Sequence, residues 1–379
     1  MSLTDVFISP AGAGDNSGSS VANALPAINS GDWSTNIEAL DRQGKRFVWL
    51  SGTYNVTTQL TFSGSAPGVD QPNFWVGADS SGNVLRPKFD ETGLRIDTTD
   101  YPKIVMSNNT PILNAEEHTS YSCLSFENTN ASYSQDSIVE ATSGDTDIQH
   151  WFGCSFKAAP ANNNAEIMLA NNSSFHTCSF EATTTQFARV LDLRANGFAD
   201  NCRIIGGGKS SGSGDGHGVT ITANTTKVVN CVIVNVHGNG YDVNSTNTRM
   251  HPFCENCTIA NCGGNGLAIA GLTDNQTSNS AALNGNIVFS CDRGINANAD
   301  DGRQPGMLIT AMGDNTQGNF NNMDDYEDMV DVIAITSADF FDSANNDFRI
   351  KRTSPLYKFY GNQNFGAVQN EDFEFVSVS

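Results

Sequence analysis

Six cysteines divide the middle of the chain into lengths of similar size. Cys123, Cys154, Cys178, Cys202, Cys231 and Cys257 are separated by 31, 24, 24, 29 and 26 residues. Each opens the same short phrase: Cys123-Leu-Ser-Phe, Cys154-Ser-Phe-Lys, Cys178-Ser-Phe-Glu, Cys202-Arg-Ile-Ile, Cys231-Val-Ile-Val and Cys257-Thr-Ile-Ala, with Asn286-Ile-Val-Phe in the next place. A small, a variable and an apolar residue in succession form the period-two signature of a strand with one face inside. Recurrence every roughly 20 to 50 residues marks each unit as one turn of a solenoid, which cannot bury its apolar face without a neighbour. Cys154, Cys178, Cys202, Cys231 and Cys257 are therefore expected inside on successive coils, beside an inward column of Phe156, Phe180, Ile204, Ile233 and Ile259.

A second strand keeps the same register. Gly218-Val-Thr-Ile, Gly240-Tyr-Asp-Val, Gly266-Leu-Ala-Ile and Gly294-Ile-Asn-Ala each begin with glycine, while Val190-Leu-Asp-Leu and Glu166-Ile-Met-Leu hold comparable places upstream without it. No stretch between the cysteines keeps a 3.6-residue apolar pattern long enough for a helix, which removes helical repeats. The leucine ladder and shorter coils of a leucine-rich repeat are missing as well. An all-β, single-domain parallel β-helix remains.

The net charge of −21 argues against nucleic acid and against anionic membrane surfaces. No run of about 18 apolar residues is present to span a membrane. The first ten residues lack the basic and apolar regions of a secretory signal, so cytoplasmic folding is expected. Nine cysteines, mostly one per coil, then read as small buried apolar residues and not as a disulfide framework.

Residues 1–50 read as an entry segment with a short capping helix at 34–42, Ser34 or Thr35 as its N-cap and Gly44 as its stop. Coils fill 51–310, and 311–379 hold an acidic loop and an irregular closing element. The opening Val6-Phe-Ile-Ser-Pro-Ala-Gly-Ala-Gly-Asp, the run Val48-Trp-Leu-Ser-Gly-Thr-Tyr, the central Asn-Cys-x-Ile coils and the closing Asp347-Phe-Arg-Ile-Lys-Arg-Thr-Ser-Pro resemble the pectate-lyase-like right-handed parallel β-helix superfamily. The resemblance spans nearly the whole chain. It implies that fold, in a superfamily that includes polysaccharide lyases, glycoside hydrolases and bacteriophage tailspikes.

Aligning the glycine-led strands puts Asp192, Thr220, Asp242, Ala268 and Asn296 in one outward column, with Asp215, His217, His237, Asn239 and Arg293 at the turn before it. Coils about 4.8 Å apart would set the backbones of Asp192 and Asp242 roughly 9 to 10 Å from each other, near the carboxyl separation of an inverting glycosidase. Asp192, Asp215, Asp242, His217 and His237 are the expected acid–base groups, and Asn239 and Arg293 the expected substrate contacts. The structural alternative is a solvated polar face, which any β-helix carries. Gly216-His-Gly and Arg349-Ile-Lys are each similar to short polygalacturonase motifs. They stand over 130 residues apart without the aspartate motifs of that family, and we read both as coincidental.

His251-x-x-Cys254-x-x-Cys257-x-x-x-x-Cys262 has the residue types of a zinc site. Cys257 is already committed inward, and Cys262 shares its coil position with Val236 and Cys291, so no metal is assigned there. No cofactor is expected. Calcium at the acidic run Asp324, Asp325, Glu327 and Asp328 is the alternative, although the run lacks the spacing of a dedicated calcium loop.

Two functional readings follow. The first is a bacteriophage virion surface protein, a spike, fibre or capsid appendage. It would be assembled with other virion proteins, bind host cell-surface polysaccharide and, by the superfamily likeness, form a homotrimer that gains avidity from several weak sites. The alternative is an extracellular polysaccharide-degrading enzyme, a glycoside hydrolase or polysaccharide lyase. The missing signal pattern and the incomplete catalytic motifs favour the first, and catalysis is left open.

Overall fold

The computed structural model of the protein describes residues 3–26, 42–61, 67–68, 70–90, 93–135, 137–142, 149–160, 165–208, 216–222, 226–244, 252–270, 282–298, 306–307, 309–321 and 331–357. Among them no α-helix occurs, and the chain winds as a right-handed β-helix through three parallel sheets of twelve, eleven and nine strands, here A, B and C. One coil runs Glu166–Asn171 in sheet C, Ser173–His176 in A and Ser179–Ala182 in B, and returns to C at Arg189–Leu193. The capping helix expected at 34–42 falls outside the described residues except for Arg42. That side chain is buried and ion-paired with Glu116, which also accepts a 3.1 Å hydrogen bond from Asn73 Nδ2.

Cys154, Cys178, Cys202, Cys231 and Cys257 are fully buried, as their register requires. Each follows a residue at the A-to-B corner whose φ lies between 52° and 62°: Gly153, Thr177, Asn201, Asn230 and Asn256. Asparagine and glycine suit such a left-handed turn, and a small side chain fits just inside it. Asn286 takes the next place, buried but satisfied: its Oδ1 accepts from Cys257 N–H at 2.9 Å and its Nδ2 donates to Cys254 O at 2.8 Å. Cys123 departs from the column. Ser155 pairs with Ser125, so Leu124 aligns with Cys154, and Cys123 is itself the corner residue at φ 53° with its thiol directed at Leu85 O.

Phe126, Phe156 and Phe180 stack inside sheet B with centroids 5.5 and 4.9 Å apart, and Ile204, Ile233 and Ile259 continue the column. The leading glycines of sheet C face this aliphatic part. A Cβ on Gly240 would lie 2.3 Å from Ile259 Cγ2, so the corner is too narrow for a side chain.

Three segments cover outward apolar residues. Residues 13–24 place Val21 and Ala24 on Val48, Leu50 and Ala78 of sheet A. A strap at 79–90 and 93–100 crosses the A–B corner lengthwise, passing Leu85 by Cys123 and Pro87 by Gly153 to Gly93, whose carbonyl accepts from Arg203 Nε at 2.6 Å. The closing element packs Phe340, Phe348, Ile350 and Leu356 on Ile205, Val232, Val234 and Phe289, along the outer flank of sheet B. The apolar clusters formed by these segments take nothing from sheet C.

Candidate functional site on sheet C

Strand register builds two outward columns on sheet C. Glu166, Arg189 and His217 align, and the pairings of the next coils continue the row through Asn239 and Asn265 to Arg293. The other column is Leu169, Asp192, Thr220, Asp242, Ala268 and Asn296, so Asp192 and Asp242 do share a column two coils apart. The columns stand three residues apart because both intervening positions, such as Val190 and Leu191, turn into the core.

The face is layered. Glu166, Asp192, Thr220 and Asp242 are buried, whereas Arg189, His217, Asn239, Asn265 and Arg293 reach solvent. Arg189 Nη1 donates to Glu166 Oε1 at 2.6 Å and to Asp192 Oδ2 at 3.2 Å, and Arg194 Nε donates to the same Asp192 oxygen at 3.1 Å. Thr222 adds a 3.3 Å bond to Asp192 Oδ1. Asp192 thus anchors two guanidinium groups and is closed to solvent.

Burial pushes the Glu166 carboxyl up to about 8, and repulsion from Asp192 adds to the rise. Arg189 and Arg194 pull the other way. They do not prevail, because Asp192 already shares both cations and Glu166 Oε2 is buried without a partner. At neutral pH Glu166 is therefore protonated and no longer offsets the Arg189 and Arg194 guanidiniums, which leaves a surplus positive charge there.

The next coils place His217. Asn239 N–H donates to His217 Nδ1 at 3.1 Å, so the neutral ring carries its proton on Nε2. Asn239 Nδ2 donates to Asp242 Oδ1 at 2.7 Å, and Asn239 Oδ1 accepts from Asn265 Nδ2 at 2.9 Å. Arg293 makes no ion pair among the described residues. His237 lies in the turn behind this face, its Cβ 2.8 Å from where a Cβ on Gly216 would be. The structure thus gathers Asp192, His217, Asn239, Asp242 and Arg293 on one face and sets His237 at its margin. Asp215 lies outside the described residues. Sequence reasoning missed Glu166, Arg189 and Arg194, whose signal was a carboxylate and a guanidinium at equivalent places in adjacent coils.

The remaining motifs go elsewhere. Arg349 sits on the flank of sheet B, paired with Asp347 at 2.5 Å, away from Gly216. Cys254, Cys257 and Cys262 are core residues, His251 falls outside the described residues, and no three metal-ligating side chains converge among those described. The acidic run 324–328 is also outside them.

Two solved structures superimpose on nearly the whole chain. Pectate lyase Pel9A matches with a TM-score of 0.58 at 13% identity, covering 98% of this chain and 97% of its own. The fold is pectate-lyase-like. A rhamnogalacturonan lyase matches with a TM-score of 0.57 at 10% identity, covering 97% of this chain and 99% of its own. No family model matches the chain, and no curated protein matches it in sequence. Identities this low bear on the fold alone. The β-helix expectation is met, whereas the expectation of a virion protein draws no support from these two lyases.

Proposed function

We propose that the chain is a polysaccharide-degrading enzyme that cleaves a uronate-bearing polysaccharide by β-elimination on the outer face of sheet C. The layering of that face carries the reading: guanidinium, imidazole and amide groups point outward over buried carboxyls. Hydrolysis by a carboxyl pair needs both groups open to the sugar, and Glu166, Asp192 and Asp242 lie beneath the surface. Elimination first needs the uronate carboxylate neutralised so that the adjoining C–H becomes acidic. Arg189, Arg194 and Arg293 supply that charge in a form that grips carboxylates through paired N–H groups.

In this reading Asp192 is a positioning residue for two arginines, and Asp242 positions Asn239 and through it His217. His217 Nε2–H hydrogen-bonds a sugar oxygen at the cleaved linkage. Proton abstraction is given to Asp215, two residues before His217. The row from Arg189 to Arg293 spans four coil steps, about 19 Å, enough for several sugar units. A polysaccharide substrate puts the working protein outside a cell. The test is incubation with polygalacturonate, alginate and other uronans while following near-ultraviolet absorbance of unsaturated uronate and the appearance of reducing ends. The reading predicts both signals together, with Arg194→Ala at least about 100-fold slower. Reducing ends without absorbance make the protein a hydrolase, and neither signal removes the catalytic reading.

A further inference from the structure

The outer face of sheet A also carries an organised set of side chains. Register places His150 and Phe152 on one coil, Ser174 and His176 on the next, and Phe198 and Asp200 on a third, as a grid of two columns. Many outward apolar residues elsewhere are covered, Val48 of this sheet by residues 13–24 and Val232, Val234 and Phe289 of sheet B by the closing element. Phe152 is not, with 47% of its surface open to solvent.

The polar members are held in place. His150 Nδ1 lies 2.6 Å from Ser174 Oγ, and His176 Nδ1 lies 3.6 Å from Asp200 Oδ2, whose other oxygen accepts from Asn230 Nδ2 at 2.9 Å. The His176 ring meets Phe198 edge to face at 5.3 Å. One side of the grid is walled by the strap, where Pro87 packs against Gly153 and the flanking Arg86 and Lys88 are exposed.

We propose that this grid is a second saccharide-binding surface, independent of any chemistry on sheet C, that takes a glycan chain running along the solenoid axis. The occupant follows from the arrangement. A pyranose ring offers an apolar C–H face and a rim of hydroxyls. The grid offers an open phenyl ring diagonal to a second, with imidazole, hydroxyl and carboxylate groups between them. The coil repeat of about 4.8 Å is close to the length of one hexose unit, so successive sugars meet successive coils. A protein partner would call for a broader apolar core than one exposed phenylalanine.

Affinity electrophoresis through gels cast with polygalacturonate, alginate or dextran tests the surface. Retardation of the unaltered protein in at least one gel is expected. Phe152→Ala should weaken the corresponding affinity by about three- to tenfold, with Phe152→Trp retaining it and Arg194→Ala on sheet C leaving a Phe152-dependent part. Phe152 is exposed, so neither substitution disturbs the core, and unchanged circular dichroism confirms this. Absence of retardation in all three gels, or retardation that Phe152→Ala and a His176→Ala/Asp200→Ala pair leave unchanged, overturns the proposal. Activity lost on Arg194→Ala with this retardation intact would separate the two faces.

Discussion

Replacing Glu166 by glutamine separates the two descriptions of its contact with Arg189, an ion pair or a neutral carboxyl bonded to a guanidinium. The carboxyl titrates near 8 in the folded protein against an ordinary value of 4.5. Because the folded state holds this proton more tightly, the associated stability is fully present below about 4.5 and is lost as pH rises through about 8. At about 1.4 kcal/mol per tenfold change in proton affinity, the loss is at most about 5 kcal/mol at pH 9 and above. Glutamine keeps the shape and does not ionise. Urea unfolding at pH 5 should therefore find Glu166→Gln within about 1 kcal/mol of the unaltered protein, since both side chains are neutral there. At pH 9 the variant should be more stable by about 2 to 5 kcal/mol, because it escapes the cost of a buried charge beside Asp192. A variant that is less stable at pH 9, or a difference independent of pH, would refute the reasoning and make Glu166 an ionised partner of Arg189.

Two further outcomes follow from the same physics. Ionisation of Glu166 cancels the surplus positive charge around Arg189 and Arg194, so affinity for polygalacturonate should fall as pH rises through about 8, and Glu166→Gln should flatten that fall in a calorimetric titration. Gly240→Ala forces a methyl against Ile259 Cγ2 and should cost about 1 to 3 kcal/mol in urea unfolding, with part of the cost relieved in a Gly240→Ala/Ile259→Ala double variant.

The solenoid was legible because its signal is steric and local. A cysteine just inside a left-handed corner and a β-branched or aromatic residue two places on recur whenever a coil repeats, and Asn286 fitted the series despite its polarity. Cys123 misled for the same reason: its phrase resembles the others, but Leu124 takes the inward place and the cysteine makes the turn. Val232-Ile-Val carried a signal of its own. Three apolar residues in a row mean a strand buried on both faces, and the closing element supplies the outer cover. Nothing in those three residues says which distant segment does so.

At the candidate site the shared column of Asp192 and Asp242 was readable from the glycine-led alignment. Their burial was not, because it depends on Arg189, Arg194 and Asn239 closing over them. Glu166 was passed over as one more polar residue at a strand end. Its altered proton affinity arises first from burial and then from Asp192, which comes 26 residues later in sequence but is adjacent across one coil step. The strap and the grid on sheet A likewise depend on which coils come to lie side by side.

Hydrogen exchange with and without a polygalacturonate oligomer, read peptide by peptide, tests most directly whether sheet C is the face that receives an acidic glycan. The account predicts slowed exchange in the strands and turns around 189–194, 217–222 and 239–243, lost in an Arg189→Ala/Arg194→Ala variant that keeps its circular dichroism. Exchange unchanged in those segments, in a protein that nonetheless depolymerises the polymer, would contradict it.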